Sequence, residues 1–272
     1  MGDNNLLVSL ISGSAIPVKK HGVSGLPGNG GTGIDDDGLV AYWKMNQSSG
    51  DITNDSESSD SAGSSVDLSV DGATYEYSGD PVNDSSLSFD GSNDNCVAGT
   101  SVTAFKFMHL DNALFTMCFW MKRISGTDNV GIFDECNNSN NNQGIMVRFR
   151  QTACLKATVF NDAGSASDPS TSVQTADNYL STSWAFYSIT FDQALASDNI
   201  IVLRDNANEK KATKYSDTTS SKDSSNPMTL ASWANDSNYA NIALSEISIW
   251  NRVLSSDEIT ALYNSGNGQA IY

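Results

Sequence analysis

The sequence predicts an all-β protein: a two-sheet antiparallel sandwich with one short helix near the C-terminus and an extended N-terminal arm. Three observations carry this. Apolar residues alternate with period two through a series of short segments. Clusters of Asn, Asp, Gly and Ser separate those segments. A single helical signal stands near the end, in SSDEITALYNSG.

Residues 1–37 differ from the rest. Leu6–Ile11 (LLVSLI) is a short apolar stretch, and GLPGNGGTGIDDDG after it cannot pack a core. The segment is expected to be a docking arm on a glycine-rich tether, its apolar hexamer suited to strand addition on a partner, with a disordered tail as the alternative. A following helix and a Lys-Ser/Thr pair are missing, so the glycines are not a phosphate loop. Residues 38–272 are expected to form one domain.

LVAYWKM opens that domain as an apolar, aromatic strand, and SSLSFD follows the polar stretch after it. In FTMCFWMK, Phe115, Met117, Phe119 and Met121 share one face, with Thr116, Cys118, Trp120 and Lys122 on the other. GIMVRFR sets Ile145, Val147 and Phe149 against Met146, Arg148 and Arg150. WAFYSITF groups Tyr187, Ile189 and Phe191. IIVLRD, PMTLASW and IALSEISIW complete the run, with Ile247 and Ile249 on one face. Ser255 stands three residues before Glu258, the spacing of a capping box. Ile259, Leu262 and Tyr263 recur at helical spacing, and Gly266 is the expected stop.

The chain has 272 residues and a formal net charge of −17. Such a surface repels nucleic acid and anionic lipid, which excludes both as partners. Leu6–Ile11 is far shorter than the ~20 residues needed to span a bilayer. It also lacks the preceding positive charge of a signal peptide. Cys96 and Cys118 lie in apolar strands and are expected to be free thiols. A Cys136–Cys154 disulfide stays open. Metal-ligand spacing of the zinc type is absent.

Five segments, in order, carry a resemblance. LVAYWKMNQSSGDITNDS, LSFDGSND, FTMCFWMK, WAFYSITFD and IWNRVLSSDEITALYNSG resemble the concanavalin A-like jelly roll in its laminin-G/pentraxin branch, across residues 39–268. The resemblance implies a jelly-roll sandwich. It also implies that the loop after the Ile132–Phe133 strand faces the loop after Leu230, and that such loops hold calcium and a ligand. Asp134, Asn141, Asn142, Asn235 and Asp236 are then the candidate calcium ligands, because calcium takes carboxylate and carbonyl oxygens. The same Asn and Asp residues also suit plain turn formation. Trp233 and Tyr239 bracket the second loop and, with Asn235, are the candidate sugar-binding residues. In the pentraxin pattern the cysteine of the central strand has a partner where this chain has about Ser181, so Cys118 lacks it.

Jelly-roll glycosidases need two carboxylates on one face. Asp134 and Glu135 are adjacent and would point apart, and Glu246 reads as isolated. His21 lies in the tether, and His109 has no nucleophile motif beside it. The sequence therefore reads as a non-catalytic module. It is expected on a larger assembly such as a phage virion, as a capsid decoration or fibre, adhering to cell-surface glycans outside the cell without a signal peptide. The alternative is a free or cell-surface calcium-dependent lectin, with a glycoside hydrolase third. A homo-oligomer is compatible with either of the first two.

Overall fold

Strict alternation along one central strand decides how the layers form. The computed structural model describes residues 34–56, 66–99, 104–110, 112–126, 128–136, 144–160, 170–213, 226–233 and 238–271. Its strands are β1 (Leu39–Trp43), β2 (Leu68–Asp71), β3 (Leu87–Asp90), β4 (Asn95–Ala98), β5 (Leu114–Arg123), β6 (Gly131–Asp134) and β7 (Gly144–Arg150). They continue with β8 (Cys154–Phe160), β9 (Ser170–Gln174), β10 (Ala185–Asp192), β11 (Ile200–Arg204), β12 (Ala207–Ala212), β13 (Thr229–Leu230) and β14 (Asn241–Trp250). The helix α1 spans Ser256–Tyr263.

The strands make two antiparallel sheets. The first runs β1-β14-β5-β10-β11-β12, with β3 also on β14; the second runs β2-β4-β13-β6-β7-β8-β9. This is the expected jelly-roll sandwich. On β5, Phe115, Met117, Phe119 and Met121 enter the core between the sheets, where they meet Phe133, Val147, Phe149 and Leu155. Phe119 packs edge-on against Phe133 at 4.8 Å and stacks on Tyr187 at 5.5 Å. Burying one such side chain contributes about 1.5–3 kcal/mol.

Thr116, Cys118 and Trp120 face the other way. There Cys118 and Trp120 join Leu39, Tyr42, Phe186 and Trp250 in a second apolar cluster on the outside of the first sheet. Leu254, Ile259, Leu262 and Ile271 close over it. The helix forms where expected. Ser255 caps it by accepting from the Glu258 amide, and the Glu258 side chain returns to the Ser255 amide. It ends not at Gly266 but at Asn264, which takes the left-handed conformation (φ 45°) open to Asn as well as Gly.

Alternation fails at one place, and the structure shows why. In β14, Ile242 and Leu244 face the core, and so do Ile247 and Ile249. The phase slips because Ser245–Ser248 spans three steps opposite two on β5, with Glu246 at φ 48°.

The chain divides into two units, Met1–Gly31 and Thr32–Tyr272. The expected docking strand Leu6–Ile11 lies outside the described residues. Asp35–Asp37, assigned from the sequence to the tether, attach to the sandwich: Arg252 donates to the Asp35 and Asp37 carbonyls, and Leu39 N–H donates to Asp36 O. All four cysteines are buried and none is in a disulfide, the pair Cys136 and Cys154 included. Among the described residues no helix is long and apolar enough to cross a membrane.

Candidate functional site

The outward row of the second sheet is polar where that of the first is apolar. Antiparallel register sets Arg148 of β7 opposite Gly131 of β6 on one side and Lys156 of β8 on the other, with Gln174 of β9 beyond. Arg150, two residues along β7, shares this face. The neighbouring row holds Thr229, Asp134, Met146, Thr158 and Ser172, and all of these but Ser172 are buried. The Thr158 and Ser172 hydroxyls lie 2.7 Å apart.

Gly131 is small for a reason. A Cβ there would come within 2.9 Å of Trp233 Cδ1 and collide with the Ser232 carbonyl. The chain leaving β13 therefore crosses over Gly131 and brings Trp233 onto the row. Two backbone bonds brace this crossing, from Ala231 N–H to Ile132 O at 2.9 Å and from Gly131 N–H to Asn238 O at 3.0 Å. The Arg148 guanidinium sits 5.8 Å from the centre of the Trp233 ring. Arg148 Nε and Trp233 Nε1 are both buried with no hydrogen-bond partner.

The electrostatics follow from this crowding. Burial lowers the basicity of Arg148, and Arg150 lowers it further, while Asp134 works the other way. Burial lowers Lys156 in the same manner, with Arg148 and Arg150 adding to it.

Of the residues expected to bind calcium or sugar, Asp134, Trp233 and Tyr239 are described. Asn141, Asn142, Asn235 and Asp236 lie outside the described residues. Asp134 is buried, and its Oδ1 accepts from Cys136 N–H at 2.6 Å. Tyr239 is half-buried. Thr229 pairs with Asp134 and Leu230 with Phe133, antiparallel. The chain therefore leaves β6 and β13 at opposite ends of the pair, with Asp134 at one end and Trp233, beside Gly131, at the other. Among the described residues no three His, Cys, Asp or Glu side chains gather as a metal site. Sequence reasoning placed Arg148 and Arg150 on one face but gave them no role, and it passed over Lys156. The signal was present: two arginines two apart on one strand, with a lysine in the next.

Two other groups are placed by the fold. His109 is buried, its Nε2 3.7 Å from Glu135 Oε2. Glu246 is not isolated, as its sequence neighbours suggested. The bulge in β14 turns it against β1, where Tyr42 Oη donates to its Oε2, and Asn83 Nδ2, from the chain between β2 and β3, donates to its Oε1. Ile271 N–H donates to the same tyrosine oxygen at 3.2 Å. Burial pushes the Glu246 carboxyl up to about 8, and Asp80 adds to the rise while the Tyr42 bond opposes it. The void beside it, lined by Tyr42, Trp120, Glu246 and Leu262, measures about 10 Å³. That holds at most one water and no sugar ring.

Two antiparallel sheets, one sealed outside by a helix and the other carrying half-buried and buried polar rows, define a jelly-roll sandwich. A family model described as the concanavalin A-like lectin/glucanases superfamily, of the laminin G type, matches residues 90–260, and the chain belongs to that superfamily. No curated protein sequence matches it. Among solved structures it is similar to the binding domain of botulinum neurotoxin DC in complex with SialylT (TM-score 0.58, 14% identity, 85% of this chain and 52% of that one). It is similar also to the binding domain of Paraclostridial Mosquitocidal Protein 1 (0.58, 19%, 85% and 53%). A third is the Trypanosoma rangeli sialidase in complex with sialic acid (0.58, 13%, 85% and 33%). The chain thus spans about half the length of the two binding domains and a third of the sialidase.

Proposed function

We propose that this chain is a non-catalytic carbohydrate-binding module and that its ligand face is the outer row of the second sheet. The observation that carries this is the contrast between the two outer faces. The first is filled by apolar side chains under α1. The second presents Trp233 braced against Arg148, an aromatic ring beside hydrogen-bond donors. The carboxyl group of Glu246 on the first sheet's outer side sits beside a void with no room for a glycosidic bond, which favours binding over hydrolysis there. Two of the similar structures are complexes, one with SialylT and one with sialic acid, in chains of which the match covers about half and a third. A glycan array tests it. Binding is expected, and Trp233→Ala should weaken it at least tenfold with an unchanged unfolding midpoint. Uniform silence across the array would overturn it.

The setting we propose is display on a virion through residues 1–37, supported by the apolar hexamer and glycine tether of the sequence. Particles should incorporate the full chain and not the 38–272 fragment; equal incorporation of both would remove the arm's role. Calcium dependence would favour the alternative, a free lectin, although Asp134 and the chain beyond Trp233 leave the β6–β13 pair at opposite ends. Array binding that disappears in chelator would support that alternative.

A further inference from the structure

We propose that the saccharide taken by this face is anionic, its carboxylate or sulfate held by Arg148, Arg150 and Lys156. This rests on the carbohydrate reading above and names the ligand class within it. The chain has 32 acidic and 15 basic residues. Acids are plentiful enough to neutralise every cation, yet three cations converge here. Arg148 and Lys156 stand directly opposite each other, with Arg150 on the same face. Like charges opposite each other in a sheet are destabilising. Among the described residues none of the three forms an ion pair, although Lys44, Arg204, Lys211 and Arg252 all do. The acids whose charge reaches Arg148 are Asp134 and Asp128, and neither lies within ion-pair distance. Asp134 directs its Oδ1 to the Cys136 amide instead. Arg150 spends one donor on Asn129 Oδ1 at 3.1 Å. Arg148 keeps Nε buried and unbonded.

Both arginines and the lysine are half-buried, where an anion's hydrogen bonds gain from partial exclusion of water. A planar guanidinium grips a carboxylate or sulfate with two parallel bonds. Trp233, held at the end of the same row, would lie under the sugar ring that carries the anionic group. A structural role for the cluster predicts that neutralising it costs stability. A ligand role predicts that stability holds or rises, because a repulsion is relieved.

The test is an array of matched glycans in neutral, sialylated, uronate-containing and sulfated forms, probed with the full chain, Arg148→Gln, Lys156→Gln and the double variant. Acidic forms should bind at least tenfold better than their neutral parents, and the preference should shrink as salt is raised. Each single variant should lose about tenfold or more on acidic forms. The double variant should lose the preference without a lower unfolding midpoint. The sialylated and uronate arms against the sulfated arm identify which anion is taken. Equal binding of neutral and acidic forms, or acidic binding untouched by the double variant, overturns this inference and leaves the carbohydrate reading standing. Silence on every glycan removes both.

Discussion

Tyr42 and Glu246, 204 residues apart in the chain, share a hydrogen bond on the outer side of the first sheet. The bond ties the opening strand to the bulge of the last one. Through the Ile271 amide on the same oxygen, it also ties down the C-terminal segment. Its stability should depend on pH. Glu246 titrates near 4.5 when exposed and near 8 here, chiefly because of burial. Between those values the folded protein holds a proton that the unfolded chain has released. The stabilisation is therefore complete below the exposed value and is lost as pH rises through about 8. Denaturant midpoints should fall from pH 5 to pH 9, and Glu246→Gln, neutral throughout, should flatten that slope. An unchanged slope in the variant would show that Glu246 is not the titrating group.

Tyr42→Phe removes the donor to Glu246 and the acceptor for Ile271 N–H. Leaving these buried groups without that partner should cost about 1–3 kcal/mol in chemical unfolding. The loss should be smaller at pH 5 than at pH 9, since a charged carboxylate suffers more from the missing donor.

Gly131→Ala should disturb Trp233 without touching it directly in sequence. The added methyl meets the Ser232 carbonyl and the indole. Backbone must shift, at a cost of about 1–3 kcal/mol. Trp233 fluorescence should change, and glycan binding should fall alongside that change. Wild-type fluorescence and binding in the variant would remove Gly131 as the seat of the tryptophan.

Ser255→Ala removes the cap of α1 and should cost about 1 kcal/mol. Hydrogen exchange should accelerate in α1 and leave β5 protected, because the cap seals the outer cluster and not the core. Equal acceleration throughout would mean that the helix and sandwich open together.

The strongest elements were legible in the sequence because burial on one face of a strand writes itself as alternation. β5 reads this way residue by residue, and the Ser255–Glu258 box announces α1. Weak strands were not legible. β12 (ANEKKA) is a charged sheet edge and carries no apolar pattern at all. β13 shrinks to Thr229–Leu230 within a longer apolar stretch, because the chain there turns over Gly131.

Alternation, turn clusters and one capped helix determined the fold class from the sequence alone, since each reflects interactions between residues close in the chain. The tertiary structure decided which residues share a face across strands. It set Lys156 opposite Arg148, laid Trp233 over Gly131, and turned Glu246 onto Tyr42. Those neighbours depend on register, on a one-residue bulge and on a missing Cβ, and none of these can be read from residues adjacent in sequence.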